Sequence, residues 1–198
     1  MDVLFDGTVF LYPYLPIFWH RNRPVNFIEI PDLDTSYIHI RNVPHGTMRR
    51  ELFWSETFND WQRAFIYTPP GYEIGRQYPI LYLQAGGGEN ETSWEYNGRL
   101  AHIMDNTLAE GLCVPMIVAV PDGTECYTDE RDDSISGNQD MLLHDFIPFI
   151  EGKYKVRPGK KNRAIAGLSR GAHQAFAAAV THPEFFASIG VFSAYMFH

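Results

Sequence analysis

Gly167-Leu168-Ser169-Arg170-Gly171 sets one hydroxyl between two glycines. Ile165 and Ala166 precede it like a buried strand, and Ala172 to Val180 follow it like a helix. G-x-S-x-G at a strand-to-helix turn is the pattern of a nucleophile elbow. A serine hydroxyl is a weak nucleophile until a base takes its proton. The elbow exposes that oxygen, and the helix N-terminus behind it favours negative charge on a reacting carbonyl. On this reading Ser169 is the nucleophile, and the N–H of Arg170 supplies half of an oxyanion hole. Gln84-Ala85-Gly86-Gly87-Gly88, which follows the apolar run ending at Leu83, is the expected source of the other half through Gly86 and Gly87. Side-chain-free loops let backbone N–H groups approach an oxyanion. A phosphate loop fits less well, because no Gly-Lys-Ser/Thr follows. At both places the bland alternative is a glycine-rich turn without chemistry.

A nucleophile of this kind needs a base. In α/β-hydrolases the acid and the histidine follow the serine in the chain. In a sequence of 198 residues both are expected to lie beyond the last residue. The histidines present are possible substitutes. His173 sits one turn along the helix after Ser169. His144 and His182 read as solvated or capping positions, and His198 is terminal. His45 reads as a maker of structural hydrogen bonds. Asp129-Glu130-Arg131-Asp132-Asp133 is an acidic stretch better read as a solvated loop than as a cation site. Cys113 and Cys126 make neither a disulfide framework nor a zinc set. No metal or organic cofactor is implied.

The elements that must position these residues are legible in the apolar patterning. Met48 to Ser55 and Gln62 to Tyr67 read as a hairpin, with Asn59-Asp60 in the turn. Ile80 to Leu83, Met116 to Val120, Ala164 to Leu168 and Ile189 to Phe192 are unalternated apolar runs, as in a parallel sheet buried on both faces. Leu100, Ile103, Met104, Thr107 and Leu108 form one helical stripe closed by Gly111. Leu142, Phe146, Phe149 and Ile150 form another, which Pro148 should kink or start irregularly. Alternating strands and helices make a doubly wound α/β fold with the hairpin at its antiparallel edge. Residues 1–42 show no clear period and are rich in proline and aromatic residues.

Bulk properties narrow the function. A formal charge of −8 argues against nucleic acid or an anionic membrane surface as partner. No apolar run reaches the roughly 20 residues of a membrane span. Asp2, Asp6, Pro13 and Pro16 interrupt the apolar N-terminus, so no secretion signal is read there, and location is left open. Trp94, Tyr96 and Tyr127 are candidates to line a pocket, with core or rim packing as the equal alternative.

Taken together, these segments resemble carbohydrate esterase family 1, the α/β-hydrolases that include feruloyl and acetyl-xylan esterases and are related to esterase D and enterochelin-esterase-like proteins. The resemblance runs through Leu83 to Trp94, Asp105 to Gly111, Pro115 to Val118, Asp145 to Ile150 and Asn162 to Ser169, and covers roughly residues 43–195. It implies an esterase domain from residue 43, missing its last strands and helices, behind a partial β-sandwich-like module or linker at 1–42. It also implies a serine ester hydrolase acting on feruloyl or acetyl esters of plant polysaccharides, in a family whose members are often exported. An ester-substituted carbohydrate or a small aromatic ester would be the substrate, with Trp94 near it. Two positions depart from the family: Ala85 stands where histidine is usual, and Ala172 where a second glycine is usual. An acyltransferase, a thioesterase-like hydrolase, or a non-catalytic protein on the same scaffold are the competing readings. A sheet ending after Phe192 would leave an exposed edge, through which self-association is expected.

Overall fold

Every residue of Ile117-Val118-Ala119-Val120-Pro121 is buried, which a strand achieves only with cover on both faces of its sheet. A computed structural model of the chain shows that cover. It describes residues 3–5, 8–20, 23–30, 34–72, 76–123 and 133–194. Among the described residues the central sheet has six strands: β5 (Thr47–Ser55), β6 (Asp60–Thr68), β7 (Ile80–Gln84), β8 (Ile117–Pro121), β9 (Arg163–Leu168) and β10 (Ser188–Phe192). Their spatial order is β10-β9-β7-β8-β6-β5. β10, β9, β7 and β8 run parallel. β6 pairs antiparallel with β8, and the β5–β6 hairpin closes that edge, as the patterning predicts. Asn59 makes the hairpin turn with φ of 50°.

Alternate residues of each strand enter two separate cores. Ile66, Ile80, Tyr82, Ile117, Ala119 and Ile165 point to one face. There they meet Met141, Leu142, Phe146 and Ile150, together with Ala175 and Ala178 of α5 (Arg170–Thr181). Phe65, Tyr67, Leu83, Val118, Val120 and Ala166 point to the other face, under Leu100 and Met104 of α2 (Leu100–Ala109). The short α1 (Ser93–Tyr96) precedes α2, and Gly111 ends that helix with φ of 71°. The alanines of α5 let it lie close on the sheet.

The second helical stripe is irregular in the way Pro148 foreshadows. α3 (Asp133–Asp140) leads into a π-helical turn at Met141–Phe146, which passes into α4 (Ile147–Lys153). Pro148 occupies the first turn of α4, where its missing N–H costs nothing. The wider π turn turns Met141, Leu142, Leu143 and Phe146 all inward.

The N-terminal residues form two small antiparallel pairs, β1 (Val3–Phe5) with β2 (Thr8–Phe10) and β3 (Ile17–His20) with β4 (Arg23–Asn26). Neither joins the central sheet. The segment is instead tied to α1 and α2. Asn106 Nδ2 donates to the carbonyls of Tyr37 (2.7 Å) and His39 (2.9 Å), and Arg99 pairs with Glu29 and Arg41 with Glu110. His45, read as a structural residue, places Nδ1 at 2.9 Å from Asp105 Oδ2. Gly46 N–H and the Tyr67 hydroxyl both donate to the other oxygen of that buried carboxylate, at 2.8 and 2.6 Å. Burial and the Asp105 carboxylate push the Tyr67 phenol well above its ordinary range.

Candidate active site

The chain reverses its direction of travel across the sheet at β7. It leaves β7 for β8 over the α2 face and returns from β8 to β9 over the opposite face. The crevice between the carboxyl ends of β7 and β9 is therefore a topological switch point, where open α/β sheets place their ligands. Gln84 and Gly167 are register partners there. The glycine-rich loop leaves the first of these strands and the serine turn leaves the second, so the fold brings the two predicted segments together.

Ser169 adopts φ 54°, ψ −115°, a conformation that costs a non-glycine residue free energy and that clusters at functional sites. Two bonds hold it. Its N–H donates to the Phe192 carbonyl at the end of β10 (2.8 Å), and its own carbonyl accepts from His173 N–H (3.2 Å) at the start of α5. The glycines on either side allow close backbone approach. A Cβ on Gly167 would lie 2.3 Å from the Gly171 carbonyl. One on Gly171 would lie 2.3 Å from the Ala85 oxygen and 2.7 Å from that of Gln84. Gly171 thus seats α5 directly on the glycine-rich loop. Ala172, one position on, is fully buried, so its methyl group is accommodated.

The loop is braced at both ends. Trp94 Nε1 donates to the Gln84 carbonyl (3.1 Å), and the ring packs against the α2-side core. The polar handle of Trp94, expected near substrate, is thus engaged in holding the loop. Gly86 N–H donates to Glu89 Oε2 (3.0 Å), while Glu89 N–H donates to the Gly86 carbonyl (3.1 Å). Gly86 was expected to face an oxyanion. In the structure its N–H donates to a carboxylate three residues on. Gly87 is exposed, and its N–H makes no hydrogen bond among the described residues. Gly88 turns the loop with φ of 74°.

Behind the loop lies a charged cluster that the sequence did not signal. Glu91 is 1% exposed, with Oε1 3.7 Å from Arg50 and 3.8 Å from Arg63. Arg63 also pairs with Asp122, the residue after β8, with Nε at 3.0 Å. Burial raises the Glu91 carboxyl, as does Asp122, while Arg63 and Arg50 pull it back only in part.

The remaining candidates are spread out. Ser169 Oγ makes no hydrogen bond among the described residues, and His173 contributes only its backbone to the elbow. His144 pairs with Asp140 (3.7 Å) and His182 with Glu184 (3.6 Å), both partly solvated as expected. Tyr96 lines a cavity of about 350 Å³ with Phe18, Phe27 and Arg99, at the seam with the N-terminal segment. Tyr127, Cys126, His198 and Asp129 to Asp132 lie outside the described residues. Among the described residues no group of three His, Cys, Asp or Glu is placed to hold a metal ion.

A strained serine at the switch point of a mostly parallel sheet, facing a glycine-rich loop, defines an α/β-hydrolase scaffold. Residues 55–197 match the family described as "Putative esterase", and the chain belongs to this esterase family. Over 199 aligned residues it is 36% identical to an endo-1,4-beta-xylanase/feruloyl esterase from Xylanibacter ruminicola, covering 95% of this chain and 27% of that protein. A CE1 ferulic acid esterase from Anaeromyces mucronatus superposes with a TM-score of 0.73 at 23% identity, covering 81% of this chain and 62% of the other. The feruloyl esterase module from Clostridium thermocellum, in complex with sinapinate, gives 0.71 at 24% identity, with 88% and 62% covered. The chain therefore spans about a quarter of that curated relative and less than two thirds of each of these solved structures.

Proposed function

We propose that this chain carries the nucleophile and oxyanion-binding groups of a serine carboxylic-ester hydrolase acting on feruloyl or acetyl esters of plant polysaccharides. The observation that carries the reading is Ser169 at φ 54°, seated by Gly171 against the Gln84–Ala85 backbone. Ser169 Oγ attacks the acyl carbonyl. The Arg170 N–H and the glycine-rich loop hold the tetrahedral oxyanion, a histidine base takes the serine proton and gives it to the alcohol oxygen as the ester C–O bond breaks, and water then attacks the acyl-enzyme to release the acid and restore the Ser169 hydroxyl. The similarity to a xylanase/feruloyl esterase supports an ester-substituted carbohydrate or a small aromatic ester as substrate. In this reading the esterase domain begins near residue 43. Residues 1–42 are a partial module or linker before it, in keeping with two β-pairs that stay apart from the central sheet.

A non-catalytic protein on the same scaffold is the competing reading. Ala85, at a position where the family usually has histidine, favours it. Intact mass after fluorophosphonate treatment separates the two. A stoichiometric adduct that disappears in Ser169→Ala is expected for an activated serine. Folded protein that takes up no adduct supports the non-catalytic scaffold.

A further inference from the structure

We propose that Glu89 is a positioning residue of the oxyanion loop, occupying Gly86 N–H so that Gly87 is the loop's donor to the developing oxyanion. The inference rests on the Ser169 reading above. Its geometry is a reciprocal pair of bonds between two residues three apart. Gly86 N–H gives to the Glu89 carboxylate (3.0 Å) and Glu89 N–H gives to the Gly86 carbonyl (3.1 Å). Such a pair closes a turn from both sides, as a capping box closes a helix start. Charge-assisted bonds to a carboxylate are the stronger kind. The root of the loop is held separately by Trp94 and by the seat of Gly171. Glu89 therefore sets the tip, and the tip is Gly87.

Charge sharpens the choice. A carboxylate already sits where an oxyanion using Gly86 N–H would have to sit, and two negative oxygens cannot share one donor. Repulsion from Glu89 steers the acyl oxygen away from Gly86, a case of selection by an unfavourable contact. Gly87, exposed and without a hydrogen bond among the described residues, is the position left. Ala85 strengthens the dependence. Its side chain is a methyl group, so the loop's only charge-assisted brace among these residues comes from Glu89.

The test compares the wild-type chain with Glu89→Ala and Glu89→Gln, reading two quantities. Amide exchange by NMR on ¹⁵N-labelled protein reports the loop without any need for activity. Gly86 should be protected in wild type and in Glu89→Gln, which keeps an acceptor oxygen, and unprotected in Glu89→Ala. Gly87 should exchange freely in all three. Fluorophosphonate labelling of Ser169 reports the consequence. Glu89→Ala should label at least about tenfold more slowly while melting like wild type, with Glu89→Gln close to wild type. An unprotected Gly86 in wild type overturns the inference, as does Glu89→Ala labelling at the wild-type rate. If Gly86 behaves as expected and wild type still takes no label, the Ser169 reading itself fails, and the role given to Gly87 falls with it.

Discussion

Gly171 shows how much of the site hangs on a missing side chain. The space a Cβ needs is filled by the Ala85 and Gln84 carbonyls, both backbone and neither free to swing aside. Gly171→Ala is expected to push α5 off the loop, costing about 2–3 kcal/mol in a urea titration and abolishing any Ser169 labelling. Glu91 makes a different residue-scale prediction. Its carboxyl is raised in the folded chain by burial and by Asp122. The folded state then holds this proton more tightly than the unfolded state does, so the contribution of Glu91 to stability falls as pH climbs above its ordinary value of 4.5. Glu91→Gln removes that titration. Its melting temperature relative to wild type should rise as pH climbs above that value and level off once the folded carboxyl has ionised, and a constant difference would refute the assignment. The elbow and the glycine-rich loop could be read from the sequence because they rest on local rules: glycine where backbones crowd, and a strand before and a helix after. That Gly86 is already engaged could not be read, since a carboxylate three residues away has many other places to point.

At the scale of elements, the π turn before α4 joins two expectations. The apolar stripe at Leu142, Phe146 and Ile150 required a helix on the sheet, and Pro148 required an irregularity in it. The turn satisfies both by widening the backbone ahead of the proline and directing Leu142 fully into the core. Leu142→Ala should therefore cost about 2–5 kcal/mol. His144→Ala, on the solvated side of the same turn, should stay within about 0.5 kcal/mol, both read by chemical denaturation. Helix α2 carries the opposite lesson. Its apolar stripe was legible, and Leu100 and Met104 are buried as that stripe requires. Asp105 and Asn106, also buried, have no apolar signal. They are inside because Tyr67, Gly46 and the carbonyls of Tyr37 and His39 come to them from 38 to 69 residues away.

Across the whole molecule, β5 and β10 are the outer strands of the sheet among the described residues. β5 ends one side in a hairpin anchored to the π turn, where Ser55 Oγ donates to Asp145 at 2.6 Å. Burial alone would raise that carboxyl, but bonds from Ser55 and Thr57 hold it below its ordinary value. β10 ends the other side with Ile189, Val191 and Phe192 each more than two-fifths exposed. On the adjoining α5, Phe176 and Val180 are exposed as well. We propose that this exposed apolar surface lets copies of the 198-residue chain associate. Sedimentation velocity should show an average mass that rises with protein concentration, and a single monomer boundary at every concentration would refute it.

The sequence by itself determined the alternation of apolar strands and helices, the hairpin edge, and the serine turn with a glycine-rich loop before it. These follow from short-range sterics and from the burial each apolar run demands. Only the tertiary structure decided that loop and elbow meet at one switch point, that Glu89 takes the Gly86 N–H, that Trp94 holds the loop, and that Asp105 and Asn106 bind the N-terminal segment to α2. Hydrogen-bond partners are chosen among groups that folding brings within about 3 Å, and a local pattern of residue types does not say which of them a given group will meet.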